Sequence, residues 1–414
     1  MQKLAGIVLS SFLIVLIYST ETSMTYKLKE AYSWKQVDFE YPNDTVRERS
    51  VKSGEFIQEH SLPLGVEVWK NKLFITLPRW KGGIPATLTY INLDDKSGNK
   101  SPKLIPYPDW ETHQLDRNGS KIVSVFRLNV DVCDRLWLVD TGLSGILSER
   151  NQVLPPRILA YDLKTDKLIE EYPVKAEHIK ENTFLANIIV DVTADKCDQA
   201  FAYVPDLGSY GLIVYDLKNK DSWRIEHHFF HFDPLAGNYN IGGVNFQWTD
   251  GIFGTALSPL NDQGYRTLYF HPLSSTREFA VSTKVLQNKT GADSYYEYRI
   301  LGSRGPNSQA TASSLDEKTG VLVYTQVNKD AIGCWNSVKH ADEYSADTNA
   351  IISADKETLN FPNDLKVDKN GNIWVVSDRL PLYIYKNLDL NDVNFRVLTA
   401  PVAEAVKGTV CDIA

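Results

Sequence analysis

The sequence predicts an all-β fold, a six-bladed β-propeller with four-stranded antiparallel blades. Three observations predict it: an internal repeat of about sixty residues, period-2 strands joined by short polar turns, and no sustained helical periodicity after the leader. The repeat is plainest in two stretches. "VDVCDRLWLVDTGL" (130–143) and "VDKNGNIWVVSDRLP" (367–381) both open with Val-Asp and place Trp seven residues after the Val. Both then run through two aliphatic residues into an acidic end.

Further copies read at 65–80, 188–206, 254–273 and 310–327, which makes six. Aligned on Val66, Val130, Val190, Ala256, Ser314 and Val367, neighbouring copies lie between 53 (314 to 367) and 66 (190 to 256) residues apart. "RILAYDLKTDKLIEEYPV" and "GLIVYDLKNKDSWRIEH" carry two units into third and fourth strands, and "PLYIYKNLDLNDVNFRVLTA" echoes them after the last copy. Asn, Asp, Gly and Lys between alternating runs are hairpin signals. One such sheet cannot bury both faces alone, whereas six packed radially cover each face with a neighbour. "LWLVD" and "NIWVVSD" are apolar on both faces, as doubly covered strands should be, and their Trp fills the gap between blades. A pair of β-sandwiches would need a linker, and none is found. The one short helix expected is "PVAEAVKG" near the C-terminus.

Residues 1–23 read as a secretory signal peptide: Lys3, the apolar "LAGIVLSSFLIVLIY", then "STETS", with cleavage between Ser19 and Met24. Residues 24–414 then form a single propeller domain, secreted and extracellular. No later stretch approaches the roughly 20 apolar residues of a membrane span. The net charge of −8 argues against nucleic acid and anionic membranes as partners. The hydrophobic fraction of 43% is ample for a core and excludes a disordered chain.

Four cysteines in an exported chain imply two disulfides, with three connectivities open. Cys133 and Cys197 occupy the same turn in consecutive units, which favours Cys133–Cys197 and leaves Cys334–Cys411 to tether the C-terminal tail. Four sequons, at Asn43, Asn99, Asn118 and Asn288, are the expected glycosylation sites.

"YPDWETH", "DRLWLVDTG", "GYRTLYFHPLSSTREFAVST", "GCWNS" and "NIWVVSDRLP" resemble the yellow and major royal jelly protein family of insects. "LFITLPRWKGGIPATLTYINL" (73–93) and "NYNIGGVNFQWTDGIFGTALSP" (238–259) are closest to its yellow pigmentation branch. The resemblance covers almost the whole mature chain. It implies an extracellular six-bladed propeller with two disulfides and a role in cuticle melanisation, engaging a catecholamine-derived or indole-like small molecule in the channel. Some members resemble dopachrome-converting tautomerases, and salivary members bind biogenic amines without turnover. Both remain alternative readings here.

In the amine-binding members the ligand residues lie in the last repeat, and the matching positions are Asn363, Asp378 and Leu380. The salivary pattern has Thr, Asn and Phe there. A carboxylate at 378 pairs with an ammonium more strongly than an amide does. Leucine at 380 removes a stacking partner. The reading calls for a channel mouth of convergent polar and aromatic side chains around Asp378, and a mouth plugged by apolar residues would count against a ligand there. Asp140 is its counterpart in the second unit, a weaker candidate, and Arg379 reads as a structural ion-pair partner.

Other motifs carry less. His227, His228 and His231 in "HHFFH" lack a second ligand cluster and read as an outer segment. Asn187, Asn245, Asn363 and Asp364 are a minor candidate set for calcium, although no metal is expected. "GLSG" (142–145) lacks the strand–elbow–helix context of a hydrolase serine. No cofactor motif and no catalytic residue stand out. A tautomerase would need only a general base at the channel mouth.

Overall fold

The computed structural model describes residues 28–115 and 122–413; the leader 1–23 and the sequon at Asn118 lie outside the described residues. Six four-stranded antiparallel sheets form the blades of a propeller. Their inner strands are Val66–Trp69, Val125–Val130, Ile189–Asp191, Ile252–Leu257, Ser313–Asp316 and Pro362–Val367, here numbered blades 1 to 6. In blades 1 to 5 the chain runs outward strand by strand. Blade 6 takes its outermost strand from the opposite end of the chain: Lys29–Trp34 pairs antiparallel with Phe395–Pro401 and closes the ring.

The core divides as the architecture demands. Each gap between neighbouring blades holds its own apolar cluster. Trp137 of blade 2, fully buried, packs with Val190, Ala202 and Tyr215 of blade 3. Trp374 of blade 6 packs against the cluster shared with blade 1. The expectation that these tryptophans fill inter-blade gaps therefore holds. The repeated Val-Asp has an equally local cause. Asp131 accepts the indole N–H of Trp137 at 2.8 Å and the backbone N–H groups of Cys133 and Arg135. Asp368 likewise accepts the Trp374 indole at 3.0 Å and the N–H groups of Asn370 and Asn372. One carboxylate thus shapes the first hairpin turn and fixes the rotamer of the tryptophan beyond it.

The inner strands are also pinned to one another. Backbone N–H groups of Val66, Val130, Val190 and Val367 donate across blade boundaries to Asp364, Glu67, Asn129 and Ser314, at 2.9–3.1 Å. The disulfides are Cys133–Cys197, between blades 2 and 3, and Cys334–Cys411, between blade 5 and the C-terminal tail. The first closes a separation of 64 residues, worth about 4 kcal/mol in the chain-entropy account.

Three parts of the structure depart from the sequence reading. Val66 opens its strand whereas Val130 and Val367 end theirs, so the first copy is offset. "PLYIY" is not a strand: Leu380–Tyr385 is a helix, because Arg379 at φ 53° turns the chain and Pro381 suits a first helical turn. Helix Asp44–Ser53 was not anticipated. It buries only Ser50, so it has no apolar stripe, and is held by the Asn43 cap and the left-handed Gly54. The expected C-terminal helix is present as Val402–Val406.

Candidate functional site

The inner strands run from one end of the channel to the other, and the two ends differ. Asn363, Asp378 and Leu380 lie together at the end where the inner strands begin. Asn363 Nδ2 donates to Asp378 Oδ2 at 2.7 Å, and the backbone N–H of Leu380 donates to Asp378 Oδ1 at 3.1 Å. The grouping expected from the last repeat is therefore real as geometry. The open mouth expected around it is absent: Asp378 is fully buried, with Asn363 and Leu380 2% and 6% exposed.

An apolar plug covers this end. Hairpin Asn238–Ile241/Val244–Gln247, inserted between blades 3 and 4, turns Tyr239, Ile241, Val244 and Phe246 inward and leaves Asn238, Asn240, Asn245 and Gln247 exposed. Gly242 and Gly243 make its turn with positive φ, where a Cβ would be strained. The inward face joins Phe126, Phe253 and Phe361, which sit at the entries of the inner strands of blades 2, 4 and 6. Hydrogen bonds hold the hairpin and its flanks down: Trp248 Nε1 to Tyr385 Oη at 2.7 Å, the Lys386 ammonium to Gly243 O at 3.0 Å, Gln309 Nε2 to Ala236 O at 2.8 Å.

Beneath the plug lies a residue the sequence reading missed, Arg127 on the inner strand of blade 2. Its Nη1 donates to Thr311 O at 2.6 Å and its Nη2 to Asn363 O at 2.5 Å, and the guanidinium stacks 3.8 Å from the Phe253 ring centroid. Its Nε has no hydrogen-bond partner, and Asp364 Oδ1 is 3.6 Å away. A charged residue in the apolar run "SVFRLNV" was the available signal. Burial pushes the Asp378 carboxyl well above the usual carboxylate range, against the opposing pull of Asn363, the Leu380 N–H and Arg127. A carboxyl, an amide and a guanidinium thus form one buried polar row, able to donate to oxygen and to accept from a cation.

Asp140 has a different setting. It accepts from the backbone of Val123, Ser124 and Gly142 at 2.9–3.0 Å and from Arg157 Nη2 at 2.6 Å. Arg379 pairs with Asp392 at 2.6 Å, as expected of an ion-pair residue. His227 stacks on Tyr298 with ring centroids 4.0 Å apart, and burial lowers its pKa to about 4. Among the described residues no three His, Cys, Asp or Glu side chains converge as metal ligands. The four calcium candidates are engaged within the fold or turned to its surface. Asn187 donates to Phe253 O, Asn363 to Asp378, Asp364 accepts from Val66, and Asn245 is exposed on the hairpin. Ser144 lies in the short strand Leu143–Ser144, with no elbow.

The opposite end of the channel is open. A cavity of about 300 Å³ is lined there by Val130, Leu257 and Val367, the last residues of their inner strands, and by Val190, with Asn129, Asn187 and Ser313 deeper.

Residues 123–411 match the family model described as Major royal jelly protein. The chain is 45% identical over 397 residues to Protein yellow of Drosophila erecta, covering 95% of this chain and 72% of that one. It is 44% identical over 408 residues to Protein yellow of Drosophila pseudoobscura pseudoobscura, covering 98% and 72%. A solved Bacteroides thetaiotaomicron protein of unknown function aligns over 91% of this chain and 76% of its own, at 9% identity and a TM-score of 0.49, too weak to bear on function. The chain belongs to the major royal jelly protein family, alongside the insect yellow proteins.

Proposed function

We propose that the protein is exported and serves cuticle pigmentation, engaging a catecholamine-derived small molecule through Asp378. One observation carries the ligand part. Asp140 and Asp206 each bind an arginine, Arg157 and Arg224, while Asp378 makes no ion pair among the described residues. A ligand ammonium would supply the missing counter-charge, and the free Nε–H of Arg127 would meet a catechol or quinone oxygen. Against it stands the apolar plug, so a ligand reaches Asp378 only if the hairpin 238–247 lifts. Two disulfides accord with an oxidising compartment. The sequons at Asn43, Asn99 and Asn288 are exposed, and we expect glycans there. No helix among the described residues is long and apolar enough to cross a membrane.

Calorimetric titration of the secreted chain with dopamine, alongside a dopachrome decay assay, tests the reading. Saturable binding weakened about tenfold or more in Asp378→Asn supports it. Dopachrome turnover lost in the same variant would make the protein a tautomerase with Asp378 as its proton-transfer group. Neither activity at about 1 mM ligand overturns the reading.

A further inference from the structure

The open end of the channel has a chemistry of its own, and it follows from how the inner strands are pinned. Each cross-blade pin takes up an acceptor oxygen: both Glu67 oxygens bind backbone N–H groups, as do Asp364 Oδ2, Asn129 Oδ1 and Ser314 Oγ. The carboxylates at the rim are likewise engaged. Asp131 holds Arg135 and Trp137, Asp368 holds Asn372 and Trp374, Asp316 holds Thr319, and Glu317 holds Arg266. What remains for the cavity is mostly donors. Lys366 lies on the inner strand of blade 6, its ammonium 3.3 Å from Asp364 Oδ1. Asn129 keeps its amide N–H₂ once its oxygen is bound to Val190. Ser313 Oγ, on a residue 5% exposed, has no partner at all.

At the rim, Lys318 and Lys369 add two further ammonium groups. Lys318 donates to the Lys369 carbonyl at 3.0 Å, and Lys369 stands 3.6 Å from Asp134 on the neighbouring side. Neither is tied to a carboxylate of the cavity wall. Ile189, Val190, Leu257 and Leu315 supply apolar wall between these polar points. The volume suits a molecule of one aromatic ring rather than a peptide or glycan.

We propose that this open end is a binding site for a small aromatic carboxylate, its anionic group seated on Lys366 with Asn129 and Ser313, and its ring against the aliphatic wall. The site is separate from Asp378 and does not depend on the hairpin. Its ligand has the opposite charge to the one expected at the sealed end.

The test is saturation-transfer NMR and calorimetry on the full secreted chain with 4-hydroxybenzoate, using neutral 4-hydroxybenzamide as the control probe. Saturable binding of the acid but not the amide is expected, weakened about tenfold by Lys366→Gln and unchanged by Asp378→Asn. Should Lys366→Gln fail to fold, the exposed pair Lys318→Gln/Lys369→Gln serves instead and should weaken binding about threefold, with a smaller salt dependence. Equal binding of acid and amide, binding unmoved by these substitutions, or no saturation at about 10 mM overturns the proposal.

Discussion

Asp140 ends a strand in blade 2 with Arg157 and three backbone N–H groups around it, whereas Asp378, one residue past the matching strand of blade 6, has a single amide side chain and one N–H. Both are fully buried. Asp206 in blade 3 follows Asp140, with Arg224 at 2.8 Å and N–H groups from Phe184 and Ser209. The comparison separates a carboxylate used to fasten a blade from one that the fold does not need. A buried acid with a complete set of donors is structural. One with a single amide and one N–H around it is kept for another reason.

Four measurements test this difference. Asp140→Ala should cost about 3 kcal/mol or more in urea denaturation, since it strands three buried N–H groups and removes a buried carboxylate partner of Arg157. A loss under about 1 kcal/mol would remove the distinction between the two sites. Trp137→Phe should cost about 2 kcal/mol and Trp374→Phe about 1, because the first indole is wholly buried and the second partly exposed. Equal losses would mean that the Asp–indole bond, not burial, sets the cost.

Asp378→Asn should change stability at neutral pH by less than about 1 kcal/mol. Its pH dependence is the sharper reading. A carboxyl whose pKa is raised on folding keeps its proton in the native state after the unfolded chain has lost it. Its contribution is therefore fully present below the unfolded value and declines as pH rises through the window above it. Glu67, lifted by burial to about 7, acts in the same direction, so the difference between wild type and Asp378→Asn isolates residue 378. Paired melts at pH 4 and pH 7 should show the variant gaining on the wild type. A constant difference would mean that the Asp378 carboxyl is not raised on folding. The smallest effect is expected from Trp248→Phe, which deletes the hydrogen bond from the hairpin to Tyr385. Stability should fall by about 0.5–1 kcal/mol, while hydrogen exchange of the 238–247 amides accelerates.

Much of the fold was legible because its repeat has a physical cause that recurs. Asp131 with Trp137 and Asp368 with Trp374 perform the same turn-and-indole task, so the same residues return at the same spacing. The cysteine pairing was legible for the same reason, since equivalent turns of adjacent blades are neighbours. The closure of the channel was not. "NYNIGGVNFQ" displays alternation around a Gly-Gly turn and so reads as a hairpin, but nothing local says that its apolar face covers Phe126, Phe253 and Phe361. Burial of Asp378 depends on that long-range contact, and the endings "VDTG" and "SDRL" carry no sign of which acid will meet an arginine.

The strand Lys29–Trp34 has a further consequence, one of timing. Its partner, Phe395–Pro401, begins 361 residues after it ends (395 − 34). At about 5–20 residues per second, synthesis separates the two by roughly 20–70 s. Throughout that interval an unpaired edge strand waits beside five blades that can already assemble. Whatever accompanies the nascent chain must shield those six residues until the last blade arrives, so the first described strand to be made is the last to be placed.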